Sequence, residues 1–105
     1  MLPNLTHLQF FVLSVLLDGQ KSGREVRDLL ATKHGQKKTL AAFYQLMSRL
    51  EESGMVKGWY ESKHVEGVTI KERRYEILGS GIKAVEVQES FYSNVSSELN
   101  FGGAT

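Results

Sequence analysis

Leu40, Phe43, Leu46, Met47 and Leu50 recur at spacings of three and four, which predicts a helix over residues 39–54 with these side chains on one core-facing side. Thr39 stands where an N-cap is needed, and Gly54 where a left-handed residue ends a helix. Upstream, a helix from Thr6 to about Leu17 carries one stripe of Leu5, Leu8, Val12, Val15 and Leu16 and a second of Phe10, Phe11, Leu13 and Leu17. A helix apolar on nearly all sides must be covered on more than one, here by its own core and by a second subunit. Asp18-Gly19 stops it, and Ser22 caps a further helix with a narrow Val26, Leu29, Leu30 stripe that ends near Lys33-His34-Gly35.

After Gly54 the period changes to two. Residues 55–64 and 68–77 read as strands joined through Val65-Glu66-Gly67, a hairpin rich in β-branched and aromatic types. Leu78-Gly79-Ser80-Gly81 then makes a turn, and Ile82 to about Leu99 returns to helical spacing with a broad face of Ala84, Val85, Val87, Phe91, Tyr92, Val95 and Leu99. The order predicts an α+β, mainly α, fold: a winged helix-turn-helix with a two-stranded wing over 1–78, a C-terminal dimerisation helix over 79–99, and a flexible tail over 100–105.

The outward side of the helix at 39–54 carries Ala41, Ala42, Gln45, Ser48, Arg49 and Glu52, and its first half holds only small or amide side chains. Such a face can enter the major groove of double-stranded DNA, where small residues allow close approach and an amide can pair with adenine. Lys37 and Lys38 lie beside its amino end, where free backbone amides and the helix dipole already favour a phosphate. The expected DNA-binding set is therefore Lys37, Lys38, Thr39, Ala42, Gln45 and Arg49, with Lys63, Arg73 and Arg74 on the wing. The expected dimer contacts are Leu8, Phe11 and Val15 from the first helix and Val87, Phe91, Tyr92, Val95 and Leu99 from the last.

Charge sharpens this picture. The net charge is only +1, yet residues 20–49 hold a net +5, residues 50–74 balance, and residues 75–105 hold a net −3. A phosphate-binding face with a separate assembly end has this distribution. The chain of 105 residues has no cysteine, hence neither disulfides nor a thiolate zinc site. Its longest apolar run, from Phe10 to Leu17, falls far short of the ~20 residues a bilayer needs, and no basic segment ahead of it makes a signal peptide, so a cytoplasmic location is expected.

In the order of elements the chain resembles the PadR family of transcriptional regulators, in its short form with one carboxy-terminal helix. The resemblance covers about residues 5–95 and rests on the Leu5, Leu8, Leu13 pattern, Gly23, Phe43-Tyr44, Arg49-Leu50-Glu51 with Ser53-Gly54, Arg73-Arg74-Tyr75, and Gly81. The chain departs from the family at Gln9, Arg24, Ala41-Ala42 and Leu78, where relatives commonly have Glu, an aromatic, Gly-Thr and Thr. The alanines imply a different operator, and Leu78 moves the expected cap of the last helix to Ser80. The resemblance implies a homodimer on a pseudo-palindromic operator that usually represses. In some relatives a small hydrophobic or phenolic effector binds between the subunits; the aromatic residues here are Trp59 on the wing and Phe91 and Tyr92 on the last helix.

His7, His34 and His64 are scattered with no metal-ligand spacing, and there is no phosphate loop, nucleophile elbow or apolar carboxylate pair, so no metal, cofactor or catalysis is expected. The alternative to a DNA-binding regulator is a winged helix used as a protein–protein interaction module without duplex binding.

Overall fold

The computed structural model describes the backbone over residues 5–35 and 37–104, and side chains over the same residues except His34 and 98–104. Helix α1 (His7–Leu16) opens on a capping box: Gln9 N donates to Thr6 Oγ1 at 3.2 Å, and Thr6 N donates to Gln9 Oε1 at 3.0 Å. Strand β1 (Lys21–Ser22) follows, and its second residue caps helix α2 (Gly23–His34) by the same reciprocal arrangement with Glu25. Gly35, at φ 63°, closes α2 in the left-handed conformation that glycine adopts without a Cβ penalty.

Helix α3 (Leu40–Glu52) starts where Thr39 Oγ1 accepts from Ala42 N at 3.2 Å. Its end is a Schellman turn around Gly54 at φ 73°, with Gly54 N donating to Glu51 O and Met55 N to Leu50 O. Helices α2 and α3 thus form the expected helix-turn-helix. Leu40 departs from the expected core face: it is 54% exposed, because the first turn of α3 extends past the hydrophobic centre.

Strands β2 (Val56–Val65) and β3 (Val68–Ile77) pair antiparallel from Val56↔Ile77 to Val65↔Val68. The connection is a two-residue turn rather than three, with Glu66 at φ 49° and Gly67 at φ 78°. Positive φ at both central residues is what the right-handed twist of a tight hairpin requires. Strand β1 adds to the other edge of β3, giving the order β1-β3-β2. This third strand was not expected, since two residues carry no period to read.

Every longer element contributes to one core: Val12, Leu13 and Leu16 from α1, Val26 and Leu30 from α2, Phe43, Met47 and Leu50 from α3, Val56 and Tyr75 from the sheet, and Val85 from helix α4 (Gly79–Ala104). Burial of each such side chain stabilises by about 1.5–3 kcal/mol before chain entropy is subtracted. The start of α4 corrects the expected cap. The helix begins at Gly79, Leu78 O accepts its first bond from Ile82 N at 3.0 Å, and Ser80 lies inside it, its hydroxyl donating instead to Gly54 O at 2.7 Å. Gly81 is needed there for space: a Cβ would overlap the Met55 carbonyl oxygen and stand 2.8 Å from Ile77 Cγ1. A helix of 26 residues is about 39 Å long, so α4 outruns the core, and the molecule measures 65 × 26 × 23 Å.

Candidate nucleic-acid interface

The outward face of α3 is open. Ala41, Gln45, Ser48 and Arg49 are exposed, while Ala42 is half-buried. Lys38, Ala42, Gln45 and Arg49 line one side of a cleft of about 480 Å³, whose other wall is the first turn of α1 from Thr6 to Gln9. The cleft wall holds two permanent cations, Lys38 and Arg49, and no carboxylate. On its other flank Lys38 joins Lys37 at a notch of about 100 Å³ against α2, where Arg27 and Asp28 also lie. Thr39, the cap, and Lys37 are exposed at the amino end of α3. Six of the nine expected DNA-binding residues therefore fall on one contiguous surface: Lys37, Lys38, Thr39, Ala42, Gln45 and Arg49.

The other three are on the hairpin, and they differ among themselves. Lys63 is exposed near the tip, opposite Ile70. Arg73 turns inward: Nη2 donates to Glu51 Oε1 at 2.5 Å, and the guanidinium stacks 4.7 Å from the Tyr60 ring centroid and 5.6 Å from that of Tyr75. Arg74, on the opposite face, donates to Gln20 Oε1 at 2.9 Å and to Glu72 Oε2 at 3.3 Å, with Glu61 Oε2 at 3.4 Å and Glu25 Oε1 at 4.0 Å. Three carboxylates around one guanidinium leave a local surplus of negative charge. Further out, Lys71 is exposed, and Thr69 Oγ1 lies 3.2 Å from His64 Nδ1 across the strands.

The backbone N–H of Ser22 holds the Glu25 carboxyl below the usual carboxylate range, with Arg74 and Lys21 adding to the effect against a desolvation penalty. Burial pushes the Tyr75 phenol above its ordinary range, partly offset by the neighbouring Arg73. Both groups keep their neutral-pH ionisation, so neither supplies a proton donor or acceptor poised for catalysis.

At the other end, α4 packs on α1 through a buried amide. Gln88 Nε2 donates to Leu5 O at 3.3 Å and to Tyr92 Oη at 3.1 Å, and the Tyr92 ring meets Phe10 edge-on at 5.6 Å. Gln88 Oε1 is buried with no hydrogen-bond partner among the described residues. Of the expected dimer contacts, Leu8, Phe11, Val15 and Val87 are half-buried and Phe91, Tyr92 and Val95 are 36%, 43% and 38% exposed; the Leu99 side chain lies outside the described residues. No group of three His, Asp or Glu among the described residues is arranged to hold a metal, and no described helix is long and apolar enough to cross a membrane.

No family model and no curated protein matches the sequence. Solved structures do match the fold. A transcriptional regulator from Clostridium thermocellum superposes with a TM-score of 0.69 at 22% identity, over 90% of this chain and 87% of that one. A PadR-like transcriptional regulator from Bacillus cereus gives 0.72 at 18% identity, over 89% and 87%. PadR of Bacillus subtilis, solved in complex with operator DNA, gives 0.63 at 17% identity, over 77% of this chain and 45% of that one. The fold is a winged helix-turn-helix. Its arrangement, with a terminal helix behind the wing, is similar to that of the PadR-like transcriptional regulators among those structures.

Proposed function

We propose that this protein is a DNA-binding transcriptional regulator of PadR type, acting as a homodimer and most simply as a repressor. The observation that carries the reading is the outward face of α3, where Lys38 and Arg49 flank Gln45 and Ala42 with no carboxylate among them. In a major groove Gln45 pairs with the N6/N7 edge of adenine, Ala42 packs on a thymine methyl group, and Arg49 binds guanine or a neighbouring phosphate. Lys37 and Lys38 hold a phosphate at the amino end of α3, and Lys63 holds one at the wing. Arg73 and Arg74 serve the architecture of the wing rather than contacting phosphate directly. The likeness to PadR of Bacillus subtilis, solved on operator DNA, supports the same use of the fold.

Two copies joined through the exposed stretch of α4 and the half-buried side of α1 present two α3 helices to half-sites about 34 Å apart, which calls for a pseudo-palindromic operator. A small hydrophobic effector would seat between the subunits near Phe91 and Tyr92, aromatic residues exposed on α4. The chemistry is binding, with no cofactor and no catalysis, in the cytoplasm.

Fluorescence anisotropy on a labelled duplex from upstream of the protein's own gene, against a scrambled duplex and across a salt series, tests this. Specific binding that weakens steeply with salt is expected. A second reading, a protein interaction module, is favoured by the apolar residues exposed on the wing, among them Tyr60, Val68 and Ile70. Absence of binding to any duplex at low salt, with a stable hetero-complex instead, selects it.

A further inference from the structure

Gly58 sits in β2 where an added Cβ would meet the ends of two long side chains and displace them. Its backbone is outside the left-handed range, yet a Cβ there would overlap Glu51 Oε1 and stand 2.7 Å from Arg73 Nη2. Gly58 pairs with Tyr75 and the next row on the same face pairs Tyr60 with Arg73, so the missing side chain opens the channel through which Glu51, at the end of α3, reaches Arg73 on β3. The guanidinium is fixed from the other directions by its stacking on Tyr60 and Tyr75. Beyond this row the hairpin leaves the domain, and residues 60–71 are all exposed. The contact is thus the outermost point at which the wing is tied to the reading helix.

We propose that Glu51, Gly58 and Arg73 form a brace that sets the inclination of the wing relative to α3, and that the grip of the wing on phosphate depends on it. The second half rests on the DNA-binding reading above; the first does not. From Tyr60 to Val65 the strand runs roughly 17 Å, so a tilt of about 10° at the brace moves the tip by about 3 Å. A shift of that size, comparable to the roughly 2.8 Å length of a direct Lys–phosphate contact, breaks the contact or forces the lysine stem into a more restricted reach at a cost in side-chain entropy. All three are positioning residues: none touches the nucleic acid.

The chain has no cysteine, so spin labels at Ser48→Cys on α3 and Ser62→Cys on the wing can be placed without background. Pulsed dipolar spectroscopy, with unlabelled chain in excess to silence distances between subunits, reads the wing inclination without DNA. Expected is a narrow distribution in the parent, broadened or shifted alike by Glu51→Gln and by Gly58→Ala, with the double variant no worse than either, since both break one contact. Unchanged distributions in both variants overturn the brace. On DNA, Lys63→Ala should lower the salt slope by about one unit in the parent and by none in the Glu51→Gln background. Lys63 is about 17 Å along the strand from Gly58, too far for direct coupling, so a general loss of stability does not produce this pattern. An equal slope loss in both backgrounds overturns the dependence of the grip on the brace. Should the parent bind no duplex at low salt, the DNA reading falls and the spin-label distances alone decide the brace.

Discussion

Helix α3 with its approach carries three basic residues and the wing five, and the two wing arginines are paired off while Lys57, Lys63 and Lys71 of the wing stay exposed. On α3 and its approach, Lys37, Lys38 and Arg49 stand on an open surface beside Gln45, with no carboxylate lining the cleft. On the wing, Arg73 is held by Glu51 and two tyrosine rings, and Arg74 by Gln20 and three carboxylates. The difference teaches that positive charge along a chain is not positive charge available to a ligand. A guanidinium already paired at 2.5–3.4 Å would have to give up those partners before taking a phosphate, and the partners it left would repel that phosphate.

The largest expected effect follows from Arg74. Arg74→Ala leaves Glu25, Glu61 and Glu72 facing one another and should destabilise the fold by on the order of 2 kcal/mol, discounted for the partial exposure of the acids. Thermal unfolding would show it as a fall of several degrees; an unchanged midpoint would erase the distinction between the two regions. Gln45→Ala should leave stability within about 0.5 kcal/mol but cost about 1–3 kcal/mol of discrimination at a single base pair, read by competition among operator variants.

A smaller effect concerns the junction between β1 and α2. Ser22→Ala removes the cap and should cost about 1 kcal/mol. Its pH dependence has a definite sign. Glu25 has a folded pKa below its unfolded one, so its contribution is present at neutral pH and is lost as pH falls through the folded value. Denaturant melts between neutral and acid pH should therefore show less pH dependence in Glu25→Gln than in the parent, while Ser22→Ala, which keeps the backbone N–H that dominates the shift, should retain most of it. The smallest effect is at the wing tip: Glu66→Asn relieves a non-glycine residue at φ 49° and should stabilise by a few tenths of a kcal/mol without altering the salt slope.

The helices were legible because their caps and periods are local. Thr6, Ser22 and Thr39 each announce a start, and each accepts the expected backbone hydrogen bond. The hairpin was legible from its period of two, and the gathering of Lys38, Gln45 and Arg49 followed from helical spacing. What escaped reading was non-local. Arg73 meets Glu51 across 22 residues and Arg74 meets Gln20 across 54, and no spacing rule reports which acid will neutralise which base. Strand β1 exists because the edge of β3 is free to pair, not because Lys21-Ser22 has a pattern. Ser80 looked like a cap but lies within α4, which starts at Gly79, three residues ahead of the expected Ile82, and its hydroxyl bonds the distant Gly54 carbonyl instead.

The most direct test is the salt dependence of duplex affinity for Lys38→Ala and Arg74→Ala, measured side by side with the parent protein. Lys38→Ala should lose about one unit of log–log slope, and Arg74→Ala should keep the slope of the parent even as its stability drops. A slope reduced by Arg74→Ala and untouched by Lys38→Ala would mean that the wing, not the face of α3, is where phosphate is held.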